Sequence, residues 1–146
     1  MHFNQISYFC YMKTPEEILK IMMNEDSFSQ WMGIEIQAIE LGSCTLKAEI
    51  NSTMLNGFRI SHGGISYSLA DSALAFASNS RGVQCVSIET SISHIKKVSE
   101  GDILIAEANE IHRGKTTGIY NVNVKNQHNQ TIALFKGTVF ITEKEW

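Results

Sequence analysis

Apolar positions change period along the chain, and each change marks an element. Thr14 offers an N-cap, Pro15 suits a first helical turn and Glu17 holds the capping-box position, so the pattern predicts a helix carrying Ile18, Leu19, Met22 and Met23 on one face. Asp26-Ser27 restarts the chain, and Phe28, Trp31 and Met32 lead to Gly33 as a C-cap. Residues 34–39 read as a strand. In the next segment Cys44, Leu46, Ala48 and Ile50 alternate with Thr45, Lys47 and Glu49, after a turn at Leu41-Gly42-Ser43.

Residues 62–79 follow a different rule. Ile65, Leu69, Ala70, Ala73, Leu74, Ala75, Phe76 and Ala77 place apolar or small side chains on every face, the pattern of a buried helix. Four more strands follow. Val86, Ile88, Thr90 and Ile92 share one parity, Glu100-Gly101-Asp102 makes a turn into 103–111, Arg113-Gly114-Lys115 makes another into Tyr120, Val122 and Val124, and a turn around 126–129 leads to 132–141. Short turns imply antiparallel pairing, because parallel neighbours need crossovers. The order predicts an α+β fold with one Ala-rich helix against a curled antiparallel sheet.

At 146 residues the chain suits one domain and needs no metal or disulfide staple. A net charge of −3 argues against nucleic acid or an anionic membrane as principal partner, though a local basic patch can still hold a polyanion. Cys10, Cys44 and Cys85 form no CxxC pair and read as reduced thiols of a cytoplasmic protein, Cys44 and Cys85 as small strand fillers. No run is long enough to span a membrane. The first eleven residues contain no Lys or Arg and no small-residue cleavage site, which speaks against a signal peptide. They also lack periodicity, and Met12 offers an alternative start, so residues 1–14 read as an extension to a domain spanning 15–146.

Between Arg59 and Arg81 the chain carries a single carboxylate, Asp71, in the middle of the apolar helix. A buried carboxylate must be paired, shifted in pKa or functional. A structural Asp that caps a neighbouring segment or pairs with an Arg is the plain alternative. Ser68 lies one turn before it, and Gly63-Gly64 open the helix with bare N–H groups. Such a helix end polarises a carbonyl and stabilises an oxyanion, and a carboxylate two turns on is placed to attack the carbonyl carbon or to activate water. The sequence His62-Gly63-Gly64 alone also fits a flexible loop-to-helix junction.

Taken together, Leu55-Asn56-Gly57, Ser61-His62-Gly63-Gly64 and Ser68-Leu69-Ala70-Asp71 resemble the signature of hot-dog-fold thioesterases, in particular the phenylacetyl-CoA thioesterase (PaaI-like) family. The likeness extends to Arg113-Gly114-Lys115-Thr116-Thr117-Gly118 and to Ala133-Leu134-Phe135-Lys136-Gly137, covering about residues 15–141. The resemblance implies a single hot-dog fold and hydrolysis of aryl- or short- to medium-chain acyl-CoA, as in phenylacetic acid catabolism. It implies that the Gly63 amide polarises the thioester carbonyl, Asn56 orients the water or reacting group, and His62 holds the loop. Asp71 would be nucleophile or general base. Ser87 matches a position that helps to place the water across the subunit interface in related enzymes, and Gly64 and Ser68 join it as candidates for binding the substrate. A sister branch carries Glu where this chain has Asp71. The family works as dimers, commonly paired into tetramers, without metal or redox cofactor.

Other signals are weaker. Gly64-Ile65-Ser66-Tyr67-Ser68 lacks the final Gly of a nucleophile elbow, and Gly114-Lys115-Thr116 lacks the first Gly of a phosphate-binding loop. His2, His62, His94, His112 and His128 show no paired metal spacing. Lys96, Lys97, Arg113 and Lys115 are solvated charges by default, and candidates for holding coenzyme A phosphates. Two further functions compete. A hot-dog hydratase or dehydratase would pair a His with an acid around a HisPhePro-type motif, which is absent, and a non-catalytic acyl-CoA binder would have little use for Asp71.

Overall fold

The computed structural model describes residues 12–146; the expected extension, with Cys10 and His2, lies almost wholly outside them. The chain opens with α1 (Pro15–Glu25) and α2 (Ser27–Trp31), followed by β1 (Glu35–Glu40) and β2 (Ser43–Glu49). The long helix α3 (Gly63–Asn79) precedes β3 (Val83–His94), β4 (Ile103–Arg113), β5 (Thr117–Asn126) and β6 (Thr131–Glu145). The capping box forms as expected: Glu17 N–H donates to Thr14 Oγ1 at 3.2 Å, and Thr14 N–H donates to Glu17 Oε2 at 2.8 Å. Gly33, at φ 66°, follows α2 in the left-handed conformation that a Cβ disfavours.

All six strands form one antiparallel sheet in the order β1-β2-β4-β5-β6-β3. The turn at Glu100-Gly101-Asp102 is present but is no hairpin. β3 pairs with β6 at one edge, and residues 95–102 carry the chain across to β4, between β2 and β5. Burial decides this outcome: α3 separates the first two strands from the last four, and the sheet closes around it.

α3 touches every strand. Leu69, Ala70, Ala73, Leu74 and Phe76 meet Leu46, Ala48, Leu104, Ala106, Val122 and Phe135, all buried. Alanines on both sides let the helix lie close to the strands, and Gly137 marks the tightest approach. A Cβ there would stand 2.4 Å from Leu74 Cδ2 and 3.3 Å from Phe135 Cε1. Gly137→Ala is expected to cost about 1–3 kcal/mol by overpacking, read as a lower urea midpoint at unchanged slope; an unchanged midpoint would show that Leu74 has room to move.

Two expectations need correction. α3 is not covered all round: Gly64, Ser68, Asp71 and Ala75, spaced for one face, form a half-open stripe. Nor does the apolar parity of β3 face the core along its whole length, for Val86 is 55% and Ile88 59% exposed while only Ile92 packs against it. β3 is an edge strand with bulges at Val83/Cys85 and Ser87/Glu89; before the second bulge Cys85 and Ser87 face α3 while Val86 and Ile88 point away, and the extra residue there shifts the parity so that Ile92 faces inward.

Candidate active site

The first turn of α3 is built by its neighbours. Residues 55–61 form a tight excursion closed by the Leu55–Ser61 bridge, in which Asn56 N–H donates to Ile60 O at 2.8 Å and Asn56 Oδ1 accepts from Phe58 N–H at 2.9 Å. Ser61 N–H donates to Val98 O, and His62 N–H donates to Met54 O, both at 2.8 Å. These bonds fix the approach to the helix. His62 is its N-cap, with Nδ1 accepting from Gly64 N–H at 2.9 Å. The Gly63 N–H, first in the helix, has no intrahelical acceptor, and none of the hydrogen bonds among the described residues uses it.

That free donor opens into a cleft of about 330 Å³ lined by Asn56, Gly63, Ser66, His94, Lys96 and Lys97, among others. The Ser61–Val98 bond and the end of β3 bring the two lysines there. Asn56 spends its side-chain oxygen on the loop. Its amide nitrogen makes no hydrogen bond among the described residues, which leaves it available to the cleft.

Asp71 lies elsewhere. It sits half-buried on the open stripe of α3, without hydrogen-bond or ion-pair partner among the described residues, and burial raises its pKa above the ordinary carboxylate value. It lines a second, small cavity of about 40 Å³ with Ser78, Cys85 and Ser87, backed by Leu74 and Val139. The space suffices for a water molecule with polar partners. Asp71 and Ser87, far apart in sequence, thus line one cavity within a single chain, at the junction of α3 and β3.

Gly63 and Asp71 do not meet. Eight residues of helix separate them by roughly 12 Å along the axis, and they open into different cavities. The expectation that a carboxylate two turns on reaches a carbonyl held at the same helix end is thus incorrect within one chain: the rise of the helix exceeds the reach of an Asp.

The expected phosphate ligands also divide. Lys96 and Lys97 line the cleft with Gly63. Arg113 instead turns inward at the other end of α3, donating to Ser78 O and to Tyr120 Oη, each at 3.3 Å. Tyr120 Oη donates to Glu110 Oε2 at 2.7 Å, and Arg81 holds the same carboxylate with two bonds of 2.9 Å. Burial pushes Glu110 up, but the bonds from Arg81 and Tyr120 prevail and hold it below the usual range. Lys115 is exposed in the β4–β5 turn, and Ser68 lies half-buried on the open stripe beside Asp71. Cys44 and Cys85 are buried free thiols, Cys44 pushed up to about 12 by burial. No cluster of three metal-ligating side chains occurs among the described residues.

His94, read from sequence as an ordinary histidine, stands against Gly63: a Cβ built on Gly63 would lie 3.1 Å from His94 Nε2. Its Nδ1 is 3.4 Å from Ser66 Oγ, which itself donates to Gly63 O at 3.1 Å. The available signal was its place two residues before Lys96-Lys97, at the end of a strand.

Residues 58–133 match the model of the family described as Thioesterase superfamily. The chain belongs to that superfamily. The acyl-coenzyme A thioesterase PaaI of Escherichia coli is 37% identical over 116 residues, 80% of this chain and 83% of the relative. The structure of the E. coli PaaI protein from the phenylacetic acid degradation operon superposes with a TM-score of 0.88 at 33% identity, covering 90% of this chain and 95% of that one. The smu.793 protein of Streptococcus mutans, solved bound to acetyl CoA, gives 0.75 at 30% identity over 77% of this chain and 91% of the other. The curled sheet wrapped on α3 is the hot-dog fold, and the thioesterase is of the PaaI-like type.

Proposed function

We propose that this thioesterase hydrolyses aryl- and short- to medium-chain acyl-CoA, phenylacetyl-CoA foremost, at a site shared by two subunits. The observation that carries this reading is the pairing of a Gly63 N–H in a lysine-lined cleft with Asp71 about 12 Å away on the same helix, both without a hydrogen-bond partner among the described residues. Each half lacks what the other holds. An antiparallel pair of α3 helices centred near Tyr67 sets Gly63 of one subunit against Asp71 of the partner subunit, since both stand four residues from that centre. The exposed Val86 and Ile88 on an unpaired strand edge, and the open stripe of α3, are the surfaces such a dimer would cover.

In this arrangement Lys96 and Lys97 draw the coenzyme A phosphates, and the acyl carbonyl rests on the Gly63 N–H at the positive end of α3. Water held between Asp71 and Ser87 of the partner subunit loses a proton to the carboxylate as it adds to the carbonyl carbon. The oxyanion is stabilised at Gly63, and collapse expels the thiolate. Asn56 orients the reacting group, while His62 secures the loop by capping Gly64. The catalytic domain spans residues 15–146. No helix among the described residues is long and apolar enough to cross a membrane, and the buried free thiols suit a reducing, cytoplasmic setting. Dimers would pair further into tetramers.

Thiol release from phenylacetyl-, acetyl-, octanoyl- and palmitoyl-CoA, with light scattering on the same sample, tests the reading. The expected result is highest kcat/KM for phenylacetyl-CoA and a mass of at least two chains. A stable, active 16.3 kDa monomer would refute the shared site, and a flat or palmitoyl-favouring profile would refute the acyl preference.

A further inference from the structure

We infer that His94 is a further catalytic residue, the acid that protonates the departing coenzyme A thiolate. The inference rests on the proposed binding of acyl-CoA and concerns a side chain without a role in it so far. If the carbonyl oxygen rests on Gly63 N–H and the phosphates lie at Lys96 and Lys97, the pantetheine arm runs between these points. The sulfur is the atom where that arm joins the carbonyl carbon. His94 lines the cleft with Gly63 and the two lysines, and its Nε2 is the ring atom nearest the place a Cβ on Gly63 would take.

The hydrogen bonds of the ring fix which nitrogen works. Ser66 Oγ has one hydrogen and gives it to Gly63 O at 3.1 Å. Its 3.4 Å contact with His94 Nδ1 is therefore donated by Nδ1–H, so Nε2 is the atom that gains and loses the working proton. Ser66 is buried on α3 and orients the ring through that contact. Lys96 and Lys97 in the cleft are given to the phosphates in this reading, and His62 at the same helix end is occupied with Gly64 N–H.

The step balances. As the C–S bond breaks, its electron pair goes to sulfur, and the Nε2 proton forms the S–H bond of free coenzyme A. Asp71 of the partner subunit has already taken a proton from the attacking water. Solvent then reprotonates His94 and receives both the Asp71 proton and the proton of the product acid, which leaves as the carboxylate.

A poorer leaving group needs the acid more, and that dependence gives the test. His94→Phe keeps a ring against Gly63 without a proton, and His94→Gln keeps a polar side chain. Each is compared with wild type on phenylacetyl-CoA and on the 4-nitrothiophenyl thioester of phenylacetic acid, whose thiolate leaves without help, with thermal midpoints measured alongside. Both variants are expected to lose about a hundredfold in kcat on phenylacetyl-CoA, less than about threefold on the nitrothiophenyl ester, and to melt close to wild type. Equal loss on both substrates would show that His94 only shapes the cleft, and no loss on phenylacetyl-CoA would remove its role; either overturns the inference while leaving the shared-site reading standing. A wild-type protein that releases no thiol from any acyl-CoA overturns both.

Discussion

Asp71→Asn lowers kcat by at least about a hundredfold on phenylacetyl-CoA while leaving KM and the fold largely unchanged, because the amide keeps the volume of the side chain and loses the proton acceptor. The structure sharpens this expectation through charge. Burial raises the Asp71 pKa, and no neighbouring cation among the described residues offsets it. A base works only when ionised, so wild-type kcat should rise with pH through this raised pKa, and the residual activity of the variant should lack that limb. Stability carries the opposite sign. A carboxyl whose pKa is raised on folding contributes stability below its unfolded pKa and loses it as pH climbs through the folded one. Asp71→Asn should therefore gain stability relative to wild type at neutral pH more than at acid pH. Near-normal turnover, or a stability difference that grows on acidification, would mean that Asp71 is a structural carboxylate paired in the assembled protein.

Gly63→Val should cost roughly a hundred- to a thousandfold in kcat, the usual loss when an oxyanion donor is disabled. Two effects combine in it. A side chain at the first turn of α3 shields the N–H from a carbonyl, and its Cβ would already lie 3.1 Å from His94 Nε2 and 3.4 Å from Cε1. Since His94 is exposed at the end of β3, the ring can swing aside, and the fold should survive. Circular dichroism and a melting curve beside the kinetics separate the outcomes. A folded, inactive variant supports the polarising role; a folded variant with normal kcat removes it; loss of folding would mean that the glycine serves the loop-to-helix turn.

How legible this site was follows from the physics of each part. Thr14 and Glu17 cap α1 through bonds made within four residues, so local sequence sufficed. The Gly63 donor was legible for the same reason, because every helix leaves its first N–H groups unpaired. Asp71 stood out as a charge in an apolar segment. Arg113 misled, since a basic residue beside a hairpin turn looks solvated until Ser78 and Tyr120 are brought up to it by strand pairing. His94 was overlooked because its significance lies in contacts with Gly63 and Ser66, about thirty residues away, which no periodicity encodes.

By itself, then, the sequence determined the elements, their antiparallel character and the chemical types at the site, because caps, alternation and helix ends are short-range matters of sterics and hydrogen bonding. Only the tertiary structure decided that β3 crosses to the far edge of the sheet and shows Val86 and Ile88 to solvent. It alone decided that Gly63 and Asp71 open into separate cavities, and that His94 and two lysines line one cleft with Gly63. These are consequences of wrapping a sheet around a rigid helix: the rise along α3 sets how far apart its residues stand, and the order of strands sets which distant residues they face.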